Sequence, residues 1–398
     1  MSALIILLDG FNPDDINSKH TPYLEDFKKK NSYSLLEKSA PFCERSEFYS
    51  GQPAKVTNNF FAFDYNTEAS NYRYIKNKPY FTFFKFLDIS IDFIANFGFQ
   101  LHILDKVKRK IRTIFQKKII QTGEKFFSVN HIPYKFLSRF SLTEDSEIPQ
   151  IKFNSYPTSF YNQANIKDKK ILNLFDDLCI HNKKIDYNNR LDFLNQKLIE
   201  NKNDIYLYAN SELDLHMHNN GIKKDFEYIE KIKKIDTDIK ETCSLFLNLN
   251  PSGKIFIFSP HGMLNVKIKI NVEKYILKHI SNSNNTYFID STAFRIWGSH
   301  LNNIWSKLSN ISVLKQNGNF MWSHILYKNY NCKKHIIWFA NTETICFPDF
   351  FRRTIPPLGM HGYSNLKVQN GFILSNAPLF EKKYLISDLS WIINDNLL

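Results

Sequence analysis

Short unbroken apolar runs alternate along this chain with segments whose apolar residues recur every three or four positions. Residues 3–8, ALIILL, are continuous and short, the pattern of a strand buried on both faces. TPYLEDFKKK, residues 21–30, follows with Thr21 in the capping position and Pro22 in the first turn, which predicts a helix. SYSLLEKSAP, residues 32–41, reads as a second strand, and CERSEFYSG, residues 43–51, as a short helix stopped by Gly51. The runs at 204–210, 254–259, 285–290 and 334–341 are further strands, and 225–249 is a long helix. Strands alternating with helices predict an α/β fold, a three-layer α/β/α sandwich around a mostly parallel sheet.

Residues 66–150 break that rhythm. They open aromatic-rich and without a clean period, then place Leu104, Val107, Ile111, Phe115 and Ile119 at helical spacing opposite a face of lysines and arginines. We read an inserted, mostly helical cap, which leaves 1–65 and 151–398 as the main domain. Its basic helix is either a lid or peripheral membrane contact for a lipid-like substrate, or a helix packed on the main domain with a solvated basic face. Asp88, Asp92 and Asp105 interrupt the apolar stretch and favour the packed helix.

Composition narrows the classes. With 398 residues, 43% of them hydrophobic, one large α/β unit with an insertion can bury a substantial core. The net charge of +13 fits a phosphorylated small-molecule or lipid-linked partner, and equally a lysine-rich coding bias; no nucleic acid is expected. The five cysteines, 43, 179, 243, 332 and 346, include no Cys-x-x-Cys pair, against a disulfide framework or zinc ribbon. MSALIILLDGF lacks a basic leader region, and no stretch of 18 uncharged apolar residues exists, so a cytoplasmic protein is expected.

Phosphate-binding glycine loops and the Gly-x-Ser-x-Gly elbow are absent. Carboxylate and imidazole instead collect at strand ends: Asp9 after the first strand, Asp214, His216 and His218 in SELDLHMHNNG after 204–210, His261 after 254–259, and His361 in GMHGY. Strand carboxyl ends are where open α/β sheets bind ligands. Asp with His suits zinc or manganese. Singly, each has a plain alternative, a helix cap for Asp9 or a satisfied core residue for any one histidine.

The order of these motifs resembles the type I phosphodiesterase/nucleotide pyrophosphatase branch of the alkaline phosphatase superfamily. That family's first strand ends in Asp-Gly before a Thr-Pro-x-Leu helix, matched by LIILLDG and HTPYLEDF. Its nucleophile helix ends in Thr-Gly-x-x-Pro, approached by PFCERSEFYSGQP. Asp-x-x-x-His-x-x-Gly is met by Asp214, His218 and Gly221, and the long helix after it carries Asp236. Ser-Asp-His-Gly-Met stands here as SPHGM, residues 259–263, and His-Gly-Tyr as residues 361–363. The likeness covers nearly the whole chain outside the cap. It implies an alkaline phosphatase-like fold and a metal-dependent hydrolase of phosphate esters or phosphodiesters, with one or two divalent ions. Asp214, His218 and His361 match the ligands of one ion. Asp9 and His261 match ligands of the other, which in the family is also held by the nucleophile and the Asp of Ser-Asp-His-Gly.

Two positions depart from that pattern. Pro260 stands at the ligating Asp, and Pro41 at the nucleophile, ten residues before Gly51. Ser39, Cys43 and Ser46 are nearby hydroxyl and thiol groups. Cys43 would open its helix, where the dipole favours thiolate, or it is a small buried residue. CERSE does not meet the sulfatase pattern Cys-x-Pro-x-Arg. Glu44 offers the carboxylate missing at 260, and Arg45 a bidentate phosphate clamp. A strand-to-loop turn should aim His216 away from His218, behind the ligands. Arg295 either binds substrate anion or is a helix-surface arginine. We therefore expect a shared ion site at Asp214, His218 and His361, Cys43 or Glu44 turned toward Asp9 and His261, and a cap over the strand ends. The rival reading is a non-catalytic relative with a degenerate metal site that binds a phosphorylated ligand or partner. An isomerase like the cofactor-independent phosphoglycerate mutases is a third, and the aromatic cap counts against its small substrate.

Overall fold

The structure is a computed structural model that describes residues 2–41, 44, 47–48, 51–57, 60–61, 63–65, 140–142, 170–174, 190–280, 285–326, 334–349 and 355–397. The principal strands are β1 (Ala3–Leu8), β2 (Ser32–Glu37), β3 (Ile171–Leu174), β4 (Ile205–Asn210), β5 (Lys254–His261), β6 (Thr286–Ile289), β7 (Ala293–Trp297), β8 (Gly318–Trp322), β9 (His335–Ala340), β10 (Asn370–Ser375) and β11 (Lys383–Leu385). The principal helices are α1 (Pro22–Lys30), α2 (Arg190–Glu200), α3 (Glu212–Asn220), α4 (Phe226–Leu249), α5 (Val272–Ile280), α6 (Leu301–Ser309) and α7 (Leu389–Asp395).

The central sheet runs β11-β2-β10-β5-β1-β4-β3, and β10 alone is antiparallel to its neighbours. Its inner strands are continuous apolar runs because both faces are covered. Leu4, Ile6, Tyr206, Ile255 and Ile257 pack against α1, α2 and α4. Ala3, Ile5, Leu207, Phe256 and Phe258 face the other way, onto Leu389 and Ile393 of α7. The sandwich thus has three layers, as the alternation of elements implied.

α1 is capped differently from the sequence reading. The Thr21 hydroxyl donates to the Asp15 carbonyl at 2.8 Å and makes no capping bond to the helix. The first-turn amides of Tyr23 and Leu24 instead donate to the Asp236 carboxylate at 3.0 and 2.8 Å. The Thr-Pro-x-Leu motif and the aspartate of α4 are therefore one structural device, in which a carboxylate from a neighbouring helix meets the positive end of α1.

Strands 285–290 and 334–341, expected in the central sheet, belong elsewhere. β6-β7-β9-β8 form a separate antiparallel sheet. One face carries Phe294, Ile296, Ile336 and Trp338 against α5 and α6. The other carries Ala293, Ile337 and Phe339 against Ala40, Ala54, Phe60 and Phe61, so it backs the segment that follows β2. Within the expected cap the described residues are Phe140–Leu142, a strand antiparallel to Phe63–Tyr65. The basic helix at 104–120 lies outside the described residues. Among the described residues no helix is long and apolar enough to cross a membrane.

Candidate metal centre

Parallel register brings the strand ends together. Leu8 of β1 pairs with Asn210 of β4, and the Asp9 amide donates to the Asn210 carbonyl at 2.9 Å. Gly10 then turns at φ +71°, where an added Cβ would stand 3.0 Å from Asp214 Cα. Only glycine lets this loop lie directly on α3. Residues 211–221, read from sequence as a turn into a loop, form α3 after Ser211. Asp214 and His218 are thus four residues apart on one helical face, with His218 Nε2 3.4 Å from Asp214 Oδ2. His216 falls on the opposite face, buried beside Glu227 and Tyr228, and takes no part in the cluster.

β5 continues to His261, whose Nε2 lies 3.3 Å from Asp9 Oδ1. Pro260 comes after Phe258, the last β5 residue that pairs with β1, so its missing N–H costs no bond to that neighbour. His361 reaches the site through Gly359–Met360, which pairs with Leu264–Asn265 just beyond His261. Its ring stacks on His261 with centroids 3.8 Å apart, and lies 5.4 Å from that of His218. The loops are laced by two amides that sequence reading missed. Asn12 Oδ1 accepts from the Met263 amide at 3.1 Å. Buried Gln369 donates to the Met360 carbonyl, accepts from the Tyr363 amide, and receives the Gly262 amide on its own carbonyl. Neither residue type carries a signal until the loops are seen side by side.

Among the described residues three overlapping sets have ligand atoms within 4.8 Å of one another: Asp214, His218 and His361; Asp9, Asp214 and His261; and Glu44, His261 and His361. The donor chemistry fits a divalent ion of the zinc or manganese kind. So does His361 Nδ1, which is buried and has no hydrogen-bond partner among the described residues. Burial, and the neighbouring His261, His218 and Lys38, hold His361 well below the usual imidazole range, so it is neutral as a ligand must be. Burial also pulls His261 down, but the hydrogen bond and charge of Asp9, with Glu44 behind it, outweigh burial and leave it raised.

Glu44 is turned toward the histidines, and it also pairs with Lys38, Nζ to Oε1 2.6 Å. Cys43, Arg45 and Ser46 lie outside the described residues. Ser39 bonds the Glu47 carboxylate and accepts from the Ala54 amide at 2.7 Å, which ties it to the loop behind the site. Arg295 is not on a helix surface. It lies fully buried on β7, 3.3 Å from Asp290 and over the Phe61 ring, inside the contact between the second sheet and the segment after β2. Alternation puts its side chain on the same face as Ala293 and Trp297.

No protein-family model matches the chain, and no curated protein matches it. Solved structures do. Murine ectonucleotide pyrophosphatase/phosphodiesterase 5 superposes with a TM-score of 0.62 at 13% identity, over 100% of this chain and 95% of that one. An inactive variant of the murine protein in complex with AMP matches equally. The human protein gives 0.63 at 15% identity with the same coverage. The chain accordingly shares the fold of these ectonucleotide pyrophosphatase/phosphodiesterase structures.

Proposed function

We propose that this chain is a metal-dependent hydrolase of phosphate esters or phosphodiesters. The observation that carries the reading is the convergence of Asp9, Asp214, His218, His261 and His361, from four separate stretches of chain, on one strand-end face with ligand atoms close enough to share ions. Asp214, His218 and His361 would hold a divalent ion, zinc or manganese, with Asp9, His261 and Glu44 beside it. Such an ion supplies Lewis acidity toward phosphoryl oxygens. The chain's own residues prepare the site. Asp9 orients His261, the Gly359 carbonyl fixes the His218 ring through Nδ1 at 2.9 Å, and burial keeps His361 neutral. In this reading the nucleophile is Cys43 or Ser46, and Arg45 clamps a phosphoryl oxygen.

The AMP bound to the inactive murine variant makes a nucleotide ester the first substrate to test, ahead of lipid-linked phosphates that the basic stretch 104–120 would suit. Scattered cysteines support a cytoplasmic setting. Pro41 and Pro260 favour a second reading, a centre that binds a phosphorylated ligand without turning it over. A nitrophenyl phosphodiester and phosphomonoester screen on metal-analysed protein separates the two. Turnover that disappears in Asp214→Asn supports the hydrolase. Bound metal with no turnover of any ester supports the binding centre.

A further inference from the structure

Lys38 is a buried charge that the family resemblance did not anticipate. It follows β2 directly, and its side chain is only 1% exposed. Its ammonium donates to Glu44 at 2.6 Å and to the Pro41 carbonyl at 3.1 Å. Glu44 in turn lies within ligand reach of His261 and His361. A carboxylate within reach of His261, the residue after the gap at position 260, therefore arrives with a cation already attached. That cation is also bonded to the residue standing at the nucleophile position. Both departures from the family pattern, Pro41 and Pro260, remove ligands of the same ion.

We propose that the Lys38 ammonium takes the place of the second divalent ion, leaving a centre of one divalent ion and one fixed lysine charge. The proposal rests on the metal-dependent reading above. Among the described residues His261 shares ligand reach with Asp9 and Asp214 in one set and with Glu44 and His361 in another, and Glu44 is paired with Lys38. An incoming ion would have to displace the ammonium and strand a buried lysine without its counter-charge. Alternatively it would sit beside the ammonium and be repelled. An ammonium avoids both costs, since it needs only hydrogen-bond acceptors and no coordination shell.

Counting ions on the full chain by mass spectrometry, after zinc or manganese loading and desalting, tests the proposal. Wild type should hold one ion per chain, and so should Glu44→Gln. Lys38→Met keeps the apolar stem and removes the charge, which releases Glu44; its count should rise to two. Two ions in wild type would overturn the lysine proposal and leave metal dependence standing, whereas none would overturn both. A folded Lys38→Met protein that stays at one ion also overturns it. If that variant does not fold, wild type and Glu44→Gln decide, since an ion lost from Glu44→Gln makes Glu44 a ligand.

Discussion

His361 belongs to two of the three ligand sets found among the described residues and is stacked on His261 with His218 tilted beside it, so its chemistry governs the site. Replacing it with alanine should weaken metal binding by about 100-fold or more, beyond the loss usual for an outer-shell residue. Competition against a chelating dye measures this. Acid should act through the same ring. Its folded pKa lies well below the ordinary 6.5, so below pH 6.5 the unfolded chain takes up a proton that the folded chain refuses. For chelated protein this group therefore costs stability as pH falls from 6.5 toward the folded value, and nothing above it. His361→Gln should flatten that acid-side decline in thermal melts. At this scale the convergence of Asp9, Asp214, His218, His261 and His361 was legible in the sequence, because each sits in a short motif beside a strand end or on the helix that follows one. Lys38 was not, since a lysine closing a strand pattern looks like a solvated one until Glu44 and Pro41 are folded over it.

Single elements aim these groups, and two substitutions isolate that role. Asp236→Ala removes the carboxylate that caps α1 from α4, at a cost of about 1–2 kcal/mol in denaturant unfolding. Metal content should be unchanged, because α1 stands behind the sheet and supplies no ligand. Gly10→Ala forces a side chain into left-handed backbone against Asp214, for roughly 1–2 kcal/mol of strain. There metal affinity should fall together with stability, as the Asp9 loop is pushed off α3. Of the central sheet β1, β2, β4 and β5 were readable, the clearest because continuous apolar runs of six residues have few other uses, whereas β3, β10 and β11 went unread. Their partners were less readable. An apolar run does not state which sheet it joins, and so 285–290 and 334–341 were assigned to the wrong one. AFRIW was missed as a strand altogether, because Arg295 suggested a surface until aromatic rings were found around it.

Over the whole molecule, the three-layer sandwich follows from the alternation of strands and helices, and its strand-end face collects every proposed ligand. The second sheet backs the segment between β2 and Phe61 and so stiffens the wall that carries Glu44. We propose that the segment 66–139, which lies outside the described residues, tunes what reaches that face. Replacing 66–139 by a short linker is expected to leave metal content intact and to change the preference among nucleotide, lipid-linked and simple nitrophenyl esters. Equal loss of metal would instead make the insertion part of the centre.

The account turns on metal-dependent ester cleavage, and its most direct test is a chelation and reconstitution assay with a nitrophenyl phosphodiester. Turnover should vanish in excess chelator, return on adding zinc or manganese, and not return in Asp214→Asn. Turnover indifferent to the chelator, or a reconstituted metal-bound protein that cleaves no phosphate ester, would contradict it.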